Sequence, residues 1–140
     1  MWAVFPSPLI LGNDVAGMDA RTRTLVTSPE VLAINHDPLA VPAMRVQGGP
    51  GEPEGTAEAW SRPLEGGDVA LALFNRWDVP SAVNVTWQVV GHLPRPSTGC
   101  TVRARDALRK RELGNSTTGW SQALDPYQTV LLRLSPTGCS

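Results

Sequence analysis

Residues 57–76 read AEAWSRPLEGGDVALALFNR, and the alternation inside them sets the fold class. Val69, Leu71 and Leu73 recur at period two, which places them on one face of an extended segment. EGGD, immediately before that segment, is a turn signal, so AEAWSRPL and DVALALFNR are predicted to pair as an antiparallel hairpin. Toward the C-terminus come SAVNVTWQV, with Val83, Val85 and Trp87 on one side, then CTVRARD, TGWSQAL and QTVLLRL. The turns WDVP, GHLPRP, RELGNS and DPY separate them. Short strands at this spacing predict an antiparallel sandwich or a barrel-like sheet.

Toward the N-terminus the period changes. QGGPGEPEGT, at 47–56, is rich in Gly, Pro and Glu and reads as a linker or an exposed hairpin tip. Before it, Ser28 is expected to cap a helix with Pro29 at its first position, Val31, Leu32 and Ile34 on its apolar face and Pro38 ending it. Asp19 is expected to cap an earlier helix through Val26. The opening, MWAVFPSPLILGND, carries no charge before Asp14. Pro6 and Pro8 demote it from a regular strand, yet a strand buried on both faces reads as a continuous apolar run. Residues 2–5 and 9–11 are therefore predicted to form one interrupted, buried strand. The run is too short for a membrane span, which takes about 20 residues, and Arg21 is the first basic residue, so no basic region opens a signal peptide.

The 140 residues cannot hold a complete (β/α)8 barrel, which needs roughly 200. A net charge of −1 offers no field for a polyanion or an anionic membrane, so neither nucleic acid nor membrane is an expected partner. Cys100 and Cys139 lack metal-ligand spacing; two free thiols are expected, one disulfide being the alternative. His36 and His92 lie beside prolines or turn residues with no G-x-S-x-G elbow, and read as loop or cap histidines. Asp14 and Asp37 are the candidate carboxylates for glycosidic chemistry, although bonding to backbone N–H groups in turns is the stronger expectation. Arg103, Arg105, Arg109, Lys110 and Arg111 form a basic run without interleaved aromatics and read as a solvated face. Asn84-Val85-Thr86 and Asn115-Ser116-Thr117 match the N-glycosylation pattern; the first falls in a predicted strand, and the second, in a predicted turn, is an acceptor only in a secreted protein.

Taken in order, WAVFPSPLILGND, TSPEVLAINHDPL, AWSRPLEGGDVALALFNR, RDALRKRELG and TVLLRL resemble the C-terminal end of the melibiase-type α-galactosidases, a family that includes α-N-acetylgalactosaminidases. The resemblance implies a mostly β chain. Residues 1–46 are then the last strand and following helices of a truncated (β/α)8 barrel, 47–57 a linker or loop, and 58–140 a C-terminal antiparallel β-sandwich. It implies hydrolysis, with retention, of terminal α-linked galactose in oligosaccharides or glycoconjugates, by two aspartates that lie upstream of every matched segment. No catalytic residue and no cofactor or metal is expected here, and the chain by itself is expected to be inactive. Asn13 and Asp14 match the loop after barrel strand eight and are expected to support the active-site face. His36 stands where the family more often has Gln, and Pro50–Gly55 departs from a shorter connection.

Burying Trp2, Val4, Phe5, Leu9, Ile10 and Leu11 is worth about 9 to 18 kcal/mol, against neighbours that the rest of a barrel would supply. The chain is therefore expected to be a fragment. Its full-length protein is expected to act on α-galactosides, with a homo-oligomer and a secreted, lysosomal or vacuolar location fitting the resemblance. The alternative function is a non-catalytic carbohydrate-binding module in which Trp60, Trp77, Trp87 or Trp120 stacks on sugar rings, core packing being the stronger expectation for each. A third is an interaction protein whose exposed strand-eight surface a partner chain covers.

Overall fold

The computed structural model describes residues 1–93 and 100–139. Among these, eight strands form: β1 (Met44–Gln47), β2 (Glu58–Pro63), β3 (Val69–Phe74), β4 (Ser81–Thr86), β5 (Thr101–Asp106), β6 (Arg111–Ser116), β7 (Gly119–Leu124) and β8 (Thr129–Thr137). Three helices accompany them: α1 (Ala20–Val26), α2 (Pro29–Asn35) and the single turn α3 (Trp87–Val90). The six strands β1-β2-β3-β8-β5-β6, in that spatial order, make one antiparallel sheet, and β4 and β7 make a second. The fold is a mostly β antiparallel sandwich.

The expected hairpin is in register from Glu58 opposite Phe74 to Pro63 opposite Val69. Gly66, at φ 80°, and Gly67, at φ 89°, occupy in its turn a conformation that side chains with a Cβ adopt at a cost. Val69, Leu71 and Leu73 point inward to a core shared with Val83, Val85, Leu124, Val130 and Leu132. Period two had predicted that face. The other face of β3 is buried as well: Ala70 and Ala72 have no exposure and join a second core with Val4, Val31, Ile34 and Leu131. Residues 1–43 supply that outer cover, so the large sheet lies between the small sheet and a helical layer.

The helical layer follows its caps. Asp19 accepts from the Thr22 N–H at 2.8 Å and the Thr22 hydroxyl at 2.7 Å, and those bonds hold its carboxyl below the ordinary range. Pro29 opens α2 as expected, but the Ser28 side chain makes no cap bond; its buried hydroxyl has no partner among the described residues.

Other readings are corrected. The opening is not a strand: Trp2–Val4 is a 3-10 turn closed by Val4 N–H to the Met1 carbonyl and Phe5 N–H to that of Trp2. Among the described residues no strand pairs with it, and i→i+3 bonds satisfy its backbone instead. Trp87 leaves the strand path for α3, where Thr86 caps the turn. RELGNS is not a turn but lies within β6, paired to β5; the turn precedes it, where the buried Asp106 carboxylate accepts the Leu108 and Arg109 N–H groups at 3.0 and 2.9 Å. MRVQ forms an unforeseen edge strand, β1, so 48–57 connects two paired strands, which is the hairpin-tip alternative and not the linker. Residues 94–96 of the expected GHLPRP turn lie outside the described residues.

Cys100 and Cys139 are bonded rather than free. They sit just beyond the Thr101–Thr137 pair that ends the β5–β8 ladder, with Cα atoms 4.4 Å apart. Closing 39 residues is worth about 4 kcal/mol in the chain-entropy treatment. Cys139→Ser is expected to lower the unfolding free energy by roughly 2 to 4 kcal/mol. Thermal melts with and without dithiothreitol check it: reductant should lower the wild-type midpoint and leave the variant's unchanged.

Candidate functional site

The outer face of the large sheet carries a row of charged side chains. Alternation along β2, β8 and β5 brings Arg62, Arg133 and Arg105 to this face in one cross-strand row, with Ala70 between the first two and Glu112 beyond the third. Like charges opposite one another on a sheet repel, so each needs a partner. Arg133 Nε donates to Asp68 Oδ2 at 2.6 Å. Arg105 forks onto Glu30 of α2, Nε to Oε2 at 2.8 Å and Nη2 to Oε1 at 2.7 Å, and its third nitrogen reaches Glu112 at 3.1 Å. Arg103, Arg109, Lys110 and Arg111 of the basic run are exposed as expected, and Arg105 is the member drawn out of solvent. Arg105 clasps the helical layer to the sheet, and with Glu30, Asp68, Arg103 and Arg133 it lines a polar cavity of about 330 Å³.

Arg62 differs from both. It is fully buried, and none of its three nitrogens finds a hydrogen-bond partner among the described residues. Burial pushes its guanidinium below the ordinary value, with the charge of Asp37 opposing that shift.

Asp37 does what the turn reading expected, and more. Its carboxylate accepts the Leu39 N–H at 3.1 Å and, across 28 residues, the Glu65 N–H at 2.9 Å, which ties the end of α2 to the β2–β3 turn. Asn35, unforeseen in the sequence, is buried and donates its amide to the carbonyls of Phe5 and Ser7 at 2.9 and 3.2 Å. The Ala43 N–H donates to the Val4 carbonyl at 3.1 Å. These bonds fix the opening segment over the sheet.

Asn13 and Asp14 are exposed in the following loop, where Asp14 Oδ1 accepts the Ala16 N–H at 3.0 Å. Asp14 and Asp37 each hold backbone N–H groups within their own turns. His36 is the exposed C-cap of α2, and His92 occupies an exposed bend at φ 58°. Asn115 lies on edge strand β6 opposite Arg103, exposed, rather than in a turn; Asn84 lies exposed on β4 and accepts from the Ser121 hydroxyl at 2.6 Å. Trp87 is core and Trp120 packs against it, as the packing expectation held. Trp60 is half-buried, with the Phe5 ring edge-on at 5.6 Å and the Arg45 guanidinium 5.5 Å from its centroid.

Beside the clasp the outer layer is open. Met1, Trp2, Leu9, Ile10, Leu25 and Leu108 line an apolar groove of about 430 Å³. Trp2 is 56% exposed and Ile10 72%. No Asp, Glu, His, Lys or Arg is among the residues lining the groove, and its walls are mostly apolar side chains.

The chain is similar to known proteins along nearly its whole length. Residues 54–134 match the family described as the alpha galactosidase C-terminal beta sandwich domain. An alpha-galactosidase of Coffea arabica is 36% identical over 137 residues, covering 97% of this chain and 34% of the relative. Alpha-galactosidase 3 of Arabidopsis thaliana is 30% identical over 137 residues, covering 97% of this chain and 30% of the relative. The crystal structure of alpha-galactosidase I from Mortierella vinacea superposes with a TM-score of 0.84 at 26% identity, over 99% of this chain and 34% of that one. The chain spans about a third of the length of these relatives.

Two substitutions test the outer face. Hydrogen bonds from Arg105, with its charge, hold the Glu30 carboxyl below its ordinary value. The clasp therefore contributes stability above the unfolded-state pKa of Glu30, and loses it as pH falls through the lower folded-state value. Glu30→Gln is expected to melt lower than wild type at pH 7, the gap closing on acidification; melts from pH 7 to 3 read it. Arg62→Met keeps the stem and removes a buried charge that has no hydrogen-bond partner among the described residues, and is expected to raise the melting temperature, by on the order of 1 kcal/mol in stability. A drop of several degrees would mean that attraction between the guanidinium and Asp37 outweighs the cost of its burial.

Proposed function

The chain belongs to the family of the alpha galactosidase C-terminal beta sandwich domain, and from that premise we propose that it is the carboxy-terminal part of a retaining α-galactosidase. In this reading residues 1–46 close the catalytic barrel, 47–57 connect, and 58–140 form the accompanying β-domain. The apolar groove along residues 1–32 is the observation that carries it. A segment that hides Val4 completely yet leaves Trp2, Ile10, Leu11 and Leu25 between 45% and 72% exposed has one face matched to this chain and another matched to something else. Neighbouring strands and helices of a barrel are apolar partners of that kind.

The whole protein then hydrolyses terminal α-linked galactose, through a nucleophilic and an acid/base aspartate that its barrel supplies about 5 to 5.5 Å apart. This chain holds neither and is inactive alone. Asp14 is committed to the Ala16 N–H, so Asn13 and Asp14 shape the loop bordering the active-site face without reacting. Arg105, Asp37 and Asn35 set how the β-domain carries the barrel's last elements. Asn115, exposed on the edge strand, is the acceptor proposed for a glycan.

Incubated with p-nitrophenyl α-galactoside, the purified chain is expected to release no nitrophenol above background; turnover that Asp14→Ala abolishes would refute the assignment. Joined to the preceding barrel portion of the coffee relative, it is expected to give a soluble enzyme whose first product is α-galactose by proton NMR. A soluble chimera that releases nothing, or releases β-galactose, would overturn the reading.

A further inference from the structure

The Gly- and Pro-rich residues 48–57 connect β1 and β2 at their hairpin end. Positive φ at Gly48, Gly49, Gly51 and Gly55 bends this tract back toward the segment that follows β3. Together they bound a cavity of about 400 Å³, lined by Arg45, Glu52, Glu54, Glu58, Arg76 and Trp77. That volume lies within the range of small-ligand sites.

The walls are fixed from behind. Glu58 is only 4% exposed; its Oε2 accepts the Trp60 indole N–H at 2.9 Å and its Oε1 lies 3.3 Å from Arg76 Nη1. Trp77 donates its indole N–H to the Thr56 carbonyl at 3.1 Å and its backbone N–H to Asn75 Oδ1 at 3.1 Å. Asn75 has no exposure and spends its amide on the carbonyls of Val79 and Asp125, at 2.7 and 3.0 Å. A half-buried aromatic ring is thereby held at the rim by a buried anchor, beside carboxylates that accept and guanidinium groups that donate.

We propose that this cavity is a binding subsite for a neutral hexopyranoside. A pyranose ring offers an apolar C–H face to an indole and a rim of hydroxyls that donate and accept at once, which is the complement of Trp77 between Arg45, Arg76 and three glutamates. Two positive and three negative side chains leave a charge near neutrality. That balance opposes a bound anion, and the two guanidinium groups oppose a bare cation. The subsite holds whether or not the chain is part of a hydrolase.

Titration of the full 140-residue chain with methyl α-D-galactopyranoside and methyl α-D-glucopyranoside, followed by the Trp77 indole N–H in nitrogen-15 correlation spectra, tests it. A saturable shift is expected with at least one glycoside. Trp77→Ala is expected to weaken binding about 3- to 10-fold or abolish it, while Trp77→Phe, which keeps a ring and loses the Thr56 bond, retains most of it. No saturable shift with either glycoside overturns the proposal, as does undiminished binding, read from glycoside signals by saturation transfer, in a Trp77→Ala protein that melts normally. If Trp77→Ala does not fold, Arg76→Ala and Glu54→Ala decide: weakening in either supports the subsite, and unchanged affinity in both overturns it.

Discussion

Burial of the central strands β3 and β8 on both faces is the constraint from which the rest of the architecture follows. An antiparallel sheet can leave one face in water, and its strands then alternate apolar and polar residues. Here Val69, Leu71 and Leu73 fill the sandwich core, while Ala70, Ala72 and Leu131 face the other way and are equally hidden. The alanines matter because of their size. A sheet surface paved with them lets a backbone come close, and the 3-10 turn at Trp2–Val4 does so, lowering Val4 to zero exposure. Such a sheet needs cover on both sides, and residues 1–43 are that cover.

Apolar contact alone does not fix the angle at which one layer rests on another. Three polar brackets do so here, each reaching far along the chain: the Asn35 amide on the Phe5 and Ser7 carbonyls, the Asp37 carboxylate on the Glu65 N–H, and the Glu30–Arg105 fork. All three spring from α2 or the residue pair that follows it. One short helix therefore orients the opening segment, the β2–β3 turn and the far strand β5 relative to one another.

How far the sequence was legible follows from the range of each interaction. The Asp19 cap lies three residues from its partner Thr22, Pro29 needs only its own ring, and the β2–β3 hairpin is joined by a marked turn; local chemistry specifies all three. The Glu30–Arg105 fork spans 75 residues, and nothing in either neighbourhood announces the other. Arg105 was read as part of a solvated face, but whether it met water or a helix depended on the third layer. β6 was hidden because RELGNS is polar, with Gly and Asn at turn-like spacing. An exposed edge strand buries too little for an apolar period to appear, and ladder bonds to β5 hold it instead. Of four tryptophans offered as sugar platforms, composition could not rank them; the anchor of Trp77 is Asn75, whose amide bonds to Asp125 fifty residues away.

The opening segment shows what an apolar run specifies and what it leaves open. Its composition demanded burial, and Ala3 and Val4 obtained it. Composition did not demand a strand, because a strand is a statement about hydrogen-bond partners, and Pro6 and Pro8 remove two donors from the stretch where a ladder would run. With no strand alongside, the cheaper solution is a turn whose N–H groups bond to carbonyls three residues back, with the Asn35 amide and the Ala43 N–H meeting the carbonyls that remain. The conformation of such a segment belongs to its surroundings as much as to its sequence, whereas its affinity for an apolar neighbour belongs to the sequence alone.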